Sequence, residues 1–280
     1  MAKVSYNIAI LMYKNIKIDR FELYEKVKKD IDSETEFKNI DDFKDSIKQY
    51  IFTDINLTDH TKPIEYAFQS RLQLLESETL LRGLMLKEGM VESLNNNNFP
   101  SYYAILKSFL EIPAVLGYIT HLIYNKDKFE EIIPEINILH LGNREAGSFP
   151  TGSVKAKNVL TMFEKLDEVF KSLACADKTK EECMEIRKSE NILTSTYADV
   201  CNYGHANFNA NLSIGILTDD GWKARNSSKG YKEELWAFYM PGFSVGMNTI
   251  KIMCSLIGRN EKVQNFNLMG SQPYFKEERV

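Results

Sequence analysis

Residues 103–124, YAILKSFLEIPAVLGYITHLIY, are apolar on nearly every side and long enough to span a bilayer. A chain that contains such a segment must either place it in lipid or surround it with other elements. Its ionisable side chains, Lys107, Glu111 and His121, weigh on that choice. A lysine or aspartate near a membrane centre costs roughly 2.5–3.5 kcal/mol on the insertion scale, and glutamate is comparably unwelcome. We therefore expect a helix enclosed by other helices of a soluble bundle, with membrane association as the alternative.

The flanking sequence supplies the helices that could enclose it. Pro63 to Leu94 repeats leucines at helical spacing after a proline suited to a first turn, and the Asn95–Asn98 run breaks it. A short helix around Lys128–Ile133 is predicted to end against Pro134. GNREAGSFPTGS, 142–153, is a loop by its glycines and proline. Helices are predicted over about 154–174 and, after a lysine-rich break, from Glu181 to His205. Two short runs around Asp219-Asp220-Gly221 carry a hairpin signal. Residues 231–258 read as a helix interrupted at Pro241-Gly242.

Ahead of these, 19–31 and 41–55 each begin with Asp, a good N-cap, and repeat apolar residues at helical spacing, whereas 4–11 suits a strand or a helix start. The expected fold class is all-α, a multi-helix bundle with at most one small β-hairpin. The expected domain plan is an N-terminal helical arm or subdomain over 1–60, a helical bundle over 61–258 and a tail over 259–280.

Charge narrows the partners. With 39 acidic and 35 basic residues the formal charge is −4, so the basic excess that meets a DNA duplex is missing and no duplex DNA is expected. The cysteines Cys175, Cys183, Cys201 and Cys254 are spread out, which fits a reduced cytosol better than a disulfide framework. No signal peptide is read at the N-terminus, and the expected location is cytoplasmic.

Two places concentrate chemistry. On the apolar helix, Lys107, Glu111, Tyr118 and His121 recur at steps of four, seven and three, tracing one narrow polar strip. That strip is either an internal ion pair or one wall of a polar pocket. Pro113 adds to the second reading, because it frees the carbonyl of Phe109 and a kink opens room. In TYADVCNYGHANFNAN, 196–211, Tyr197, Cys201, His205 and Phe208 share one helical stripe. His205 is thus either a core histidine or a working group.

Together these motifs carry a family resemblance. Lys107-Ser108-Phe109-Leu110-Glu111 on an apolar helix, followed by Tyr197 and Asn202-Tyr203-Gly204-His205-Ala206-Asn207, resembles the HEPN-like superfamily over roughly residues 65–258. In particular it is similar to a bacterial group of unknown function within it. The resemblance implies an all-α core, often dimeric, at work in toxin–antitoxin, phage-defence or RNA-processing systems. Active members are metal-independent endoribonucleases in which an arginine shortly before the histidine stabilises phosphate charge. Here that stretch reads Ala198, Asp199 and Val200, and no arginine precedes His205 nearer than Arg187. The implied role is therefore binding, with RNA, a nucleotide or a partner protein as occupant and a homodimer as the assembly. His205 is the catalytic candidate, and Lys107, Glu111, His121, Tyr197 and Asn202 are the binding candidates.

Other chemistries find less support in the sequence. Cys201 and His205 could be joined by His121, His140 or Cys183 around a metal, but close ligand pairs occur at one end only, so no metal is expected. There is no phosphate-cradling glycine loop, no dinucleotide fingerprint and no nucleophile elbow, so no cofactor is expected. Trp222, Trp236, Phe238 and Tyr239 are either core or an exposed partner surface.

Overall fold

The structure, a computed structural model, describes residues 34–52, 55, 63–96, 98–141, 156–204, 215–218, 221–224 and 231–264. It is an all-α helical bundle with one small hairpin. In chain order the elements are α1 (Glu34–Ile47), a 3-10 turn (Lys48–Tyr50), α2 (Ile64–Asn95), α3 (Phe99–Asn125), α4 (Phe129–Leu141) and α5 (Val159–Ala174). Then come α6 (Lys180–Lys188), α7 (Ile192–Gly204), β1 (Gly215–Thr218), β2 (Gly221–Ala224), α8 (Tyr231–Arg259) and α9 (Glu261–Gln264). The hairpin is antiparallel with Leu217 opposite Trp222 and Thr218 opposite Gly221, as the Asp-Asp-Gly signal predicts.

Contacts divide the chain into two compact units. One gathers the residues up to Lys44 with Leu81–Leu110 and Tyr197–Met247; the other gathers Asp45–Leu80, Glu111–Thr196 and the residues from Asn248 on. In the first, α1, α3 and α8 meet through aromatic rings. Phe109 lies edge-on to both Phe43 and Phe243, with centroids 6.2 and 5.4 Å apart. Gly246 permits this approach, since a Cβ there would stand 2.9 Å from Phe109 Cε1.

In the second unit two helices are buried all round. On α2 every residue from Leu72 to Ser77 is buried, and on α3 every residue from Leu116 to Thr120 is. α3 runs unbroken through Pro113, and two thirds of its apolar window is buried inside the molecule. Its end is held by Lys262 on α9, which donates to the Ile123 and Lys126 carbonyls at 2.9 and 2.6 Å.

Several boundaries differ from the sequence reading. α1 begins at Glu34 rather than Asp41, so Asp41 and Asp42 are exposed interior residues rather than caps. α4 continues through Pro134 to Leu141. Pro134 is exposed, so the carbonyl it frees opens toward water, while Ile132 and Ile136 anchor both sides of it in the core. α5 starts at Val159, where the Asn158 side chain caps the Leu160 amide at 2.9 Å. The predicted helix 181–205 is two helices, α6 and α7, separated at Ser189–Asn191. α8 is continuous through Pro241-Gly242, because Phe243, Met247, Ile250 and Met253 keep its buried face in register. At the start of the tail, α9 packs onto the rest and buries Val263. The segments 4–11, 19–31 and 142–153 lie outside the described residues.

α3 and α5 touch most closely at Gly117, where an added Cβ would stand 2.3 Å from Leu166 Cδ1 and 2.7 Å from its Cβ. The second contact lies next to the Leu166 backbone, so a rotamer change does not relieve it. We expect Gly117→Ala to lower stability by about 1–3 kcal/mol in urea denaturation. A neutral result there contradicts the close α3–α5 packing.

Candidate functional site

The candidates on α3 are separated by what they touch. Lys107, Glu111 and His121 are each half-buried. Tyr197 on α7 is buried, and Asn202 lies in the last turns of the same helix. Lys107, Tyr197 and Asn202 belong to the first unit, Glu111 and His121 to the second. His205 lies outside the described residues. Tyr118 and His121, one turn apart, enter different networks.

Tyr118 donates to Glu135 Oε2 at 2.7 Å, and Lys157 Nζ reaches the same oxygen at 2.7 Å while lying 5.3 Å from the Tyr118 ring centroid. Burial raises the pKa of Glu135, but the bonds from Lys157 and Tyr118 override it and hold the carboxyl below its ordinary value. This triad ties the residues just before α5 to α3 and α4.

His121 faces a cleft of about 750 Å³ between the C-terminal half of α3, α5 and the α6–α7 corner. That is the size of a small-ligand site. The corner is built by two oppositely charged residues one turn apart on α5. Lys171 donates to the Arg187 and Ser189 carbonyls at 3.3 and 2.6 Å and to Asn191 Oδ1 at 2.8 Å, placing a cation at the C-terminus of α6. Asp167 accepts from the Leu193 and Thr194 amides at 3.1 and 3.0 Å and from the Thr194 hydroxyl at 2.7 Å, placing an anion at the N-terminus of α7. α5 thus supplies side-chain partners to the ends of both helices at the corner. The Lys171 charge is spent on carbonyls, so Arg187 is the exposed cation of this wall.

The opposite wall is α3. Tyr124 is 52% exposed yet fixed, its hydroxyl donating to the Leu256 carbonyl at 3.2 Å, so a rigid aromatic face borders the cleft. His121 Nδ1 lies 3.3 Å from Asn125 Nδ2 and 3.4 Å from Glu168 Oε2. The neutral ring can accept there from the Asn125 amide; the protonated ring turns that nitrogen into a donor for Glu168. Burial holds the His121 pKa below 6.5, with Glu168 opposing the shift and Lys165 adding to it. Glu168 is itself bound by Lys165 at 2.8 and 3.0 Å. Among the described residues Nε2 of His121 makes no hydrogen bond, so it is the ring atom available to an occupant.

Sequence reasoning missed a second titratable group. Glu76 sits on the fully buried stretch of α2, and burial raises its carboxyl to about 8. Its charge is felt by Cys254 on α8 and by Tyr50, both of whose pKa values are raised first by their own burial. The signal was present in the polar run Gln69, Gln73, Glu76 and Ser77 on one side of an otherwise leucine-rich helix.

No cluster of three metal-ligating side chains forms among the described residues. His140 pairs with Glu78 at 2.7 Å, and Cys183 faces Cys175. No family model, curated protein or solved structure matches the chain.

The folded pKa of Glu76 lies above its unfolded value of 4.5, so the folded state holds a proton that the unfolded chain releases. Its contribution is fully present below about 4.5 and is lost as pH rises through about 8. Wild-type stability should fall by a few kcal/mol between about pH 5 and pH 9. Glu76→Gln should remove most of that fall, read as denaturation midpoints across the range. An unchanged slope in the variant rules out a protonated Glu76.

Proposed function

We propose that the protein is a HEPN-like helical binding protein whose occupant is a nucleotide, held in the cleft beside His121 with little catalysis of its own. The observation that carries the ligand class is the cleft itself. Its volume of about 750 Å³ suits a nucleotide, and its walls offer a fixed aromatic face at Tyr124, an exposed guanidinium at Arg187 and the open Nε2 of His121. An aromatic face stacks a base, and an arginine receives a phosphate. The kinship rests on the Lys107-x-x-x-Glu111 and Tyr197…Asn202 motifs, which lie on α3 and α7 of an all-helical chain. On this reading the protein works as a cytoplasmic homodimer in bacterial defence or stress.

Calorimetric titration of the purified chain with nucleoside 5′-monophosphates tests the ligand class. The expected result is saturable binding that weakens about tenfold or more, some 1.4 kcal/mol, in Arg187→Ala and again in His121→Ala. Absence of binding to every nucleotide overturns the reading. Cleavage of total RNA that is lost in His205→Ala favours the endoribonuclease reading, with His205 in the catalytic role.

A further inference from the structure

Beside the cleft, the turn between α5 and α6 holds a second reactive arrangement. Cys175 is the C-cap of α5 and Cys183 lies in the second turn's approach of α6, four residues into that helix. Each thiol lies against the other residue's main chain: Cys183 Sγ is 3.5 Å from the Cys175 carbonyl oxygen, and Cys175 Sγ is 3.9 Å from the Cys183 carbonyl oxygen. Both are free and half-buried, so a small reagent can reach them. The turn itself is fixed by the Thr179–Glu182 capping box, with the Thr179 amide donating to Glu182 at 2.8 Å. The Cys183 thiol is held above its ordinary pKa chiefly by its hydrogen bond with Cys175, while Arg187, one turn further along α6, acts in the opposite direction. Cysteines placed this close across a turn form a dithiol, in which either sulfur, once deprotonated, has the other as its resolving partner.

We infer that Cys175 and Cys183 form a reversible thiol–disulfide site that takes a low-molecular-weight disulfide as co-substrate and fastens α6 to the end of α5. One thiolate attacks a sulfur of the reagent RSSR, forming a mixed disulfide and expelling RS⁻, which takes up a proton. The second thiol loses its proton and attacks the protein sulfur of that mixed disulfide. The Cys175–Cys183 bond forms and the second RSH leaves. In sum, two protein thiols and RSSR give one protein disulfide and two RSH, and the two electrons pass to the reagent. The bond closes the turn that carries Ala176, a residue of the cleft wall, and anchors the helix that carries Arg187. This site does not depend on the identity of the cleft's occupant.

Reduced full-length protein is exposed to oxidised glutathione and mapped by non-reducing tryptic mass spectrometry. The expected result is an intrachain Cys175–Cys183 peptide, a mass loss of two hydrogens, and full reversal by dithiothreitol. Cys183→Ser, which keeps the side chain's size, should instead retain glutathione on Cys175, while Cys201→Ser should behave as wild type. Oxidation of the wild type should also slow tryptic cleavage at Lys178 and Lys180 by about fivefold or more, because the turn no longer opens. Glutathione left on wild-type Cys175 or Cys183, links to Cys201, Cys254 or a second copy, or unmodified thiols each overturn the proposal. Unchanged cleavage of the oxidised chain refutes the fastening of α6.

Discussion

Two charges on one helical turn hold the cleft together. Asp167 and Lys171 are four residues apart on α5, so they project from one face, and each is matched to the end of a helix that its charge suits. A helix C-terminus presents unpaired carbonyls and an N-terminus unpaired amides. At the α6–α7 corner both kinds occur within a few residues. Without partners they would leave the corner free to fray, since Ser189 and its neighbours are largely exposed and bury little apolar surface. The carboxylate of Asp167 is buried against its donors, so its bonds are charge-assisted and shielded from water.

The rest of the site follows from that corner. Because Lys171 is occupied, Arg187 is left as the exposed positive group on the wall, facing a fixed Tyr124 and a half-buried imidazole. Because α6 is held by its C-terminal end as well as by its capping box, Cys183 is kept within reach of Cys175. The close contact at Gly117 brings α3 against α5, so that the Glu168 carboxylate can reach His121 Nδ1. The cleft and the Cys175–Cys183 pair therefore occupy neighbouring parts of one helical scaffold.

Apolar periodicity made the long helices legible, and α2 and α3 match their expected spans to within a few residues. The hairpin was legible from Asp219-Asp220-Gly221. Several corrections share one cause: proline, glycine and aspartate were read as local punctuation where tertiary contacts decide. Pro134 stays within its helix because buried Ile132 and Ile136 on either side outweigh one lost backbone bond, and Pro241 is followed by Phe243 and Met247, which hold α8 in the core. The split at Ser189–Asn191 was hidden because its caps come from α5, more than fifteen residues away in sequence. The cysteines looked dispersed because eight residues separate Cys175 from Cys183, and only the α5–α6 turn brings them together. His121 was legible as a binding candidate, but its partner Glu168 and the cation Arg187 come from other helices and left no local motif.

Amide hydrogen exchange at Leu193 and Thr194 tests the corner most directly. These are first-turn amides of α7, which in an ordinary helix lack intrahelical partners and exchange quickly. If the Asp167 carboxylate holds them, both should be protected nearly as well as the α7 interior, and Asp167→Ala should abolish that protection while α3 and α5 amides keep theirs. Rapid exchange of Leu193 and Thr194 in the wild-type protein would contradict the account.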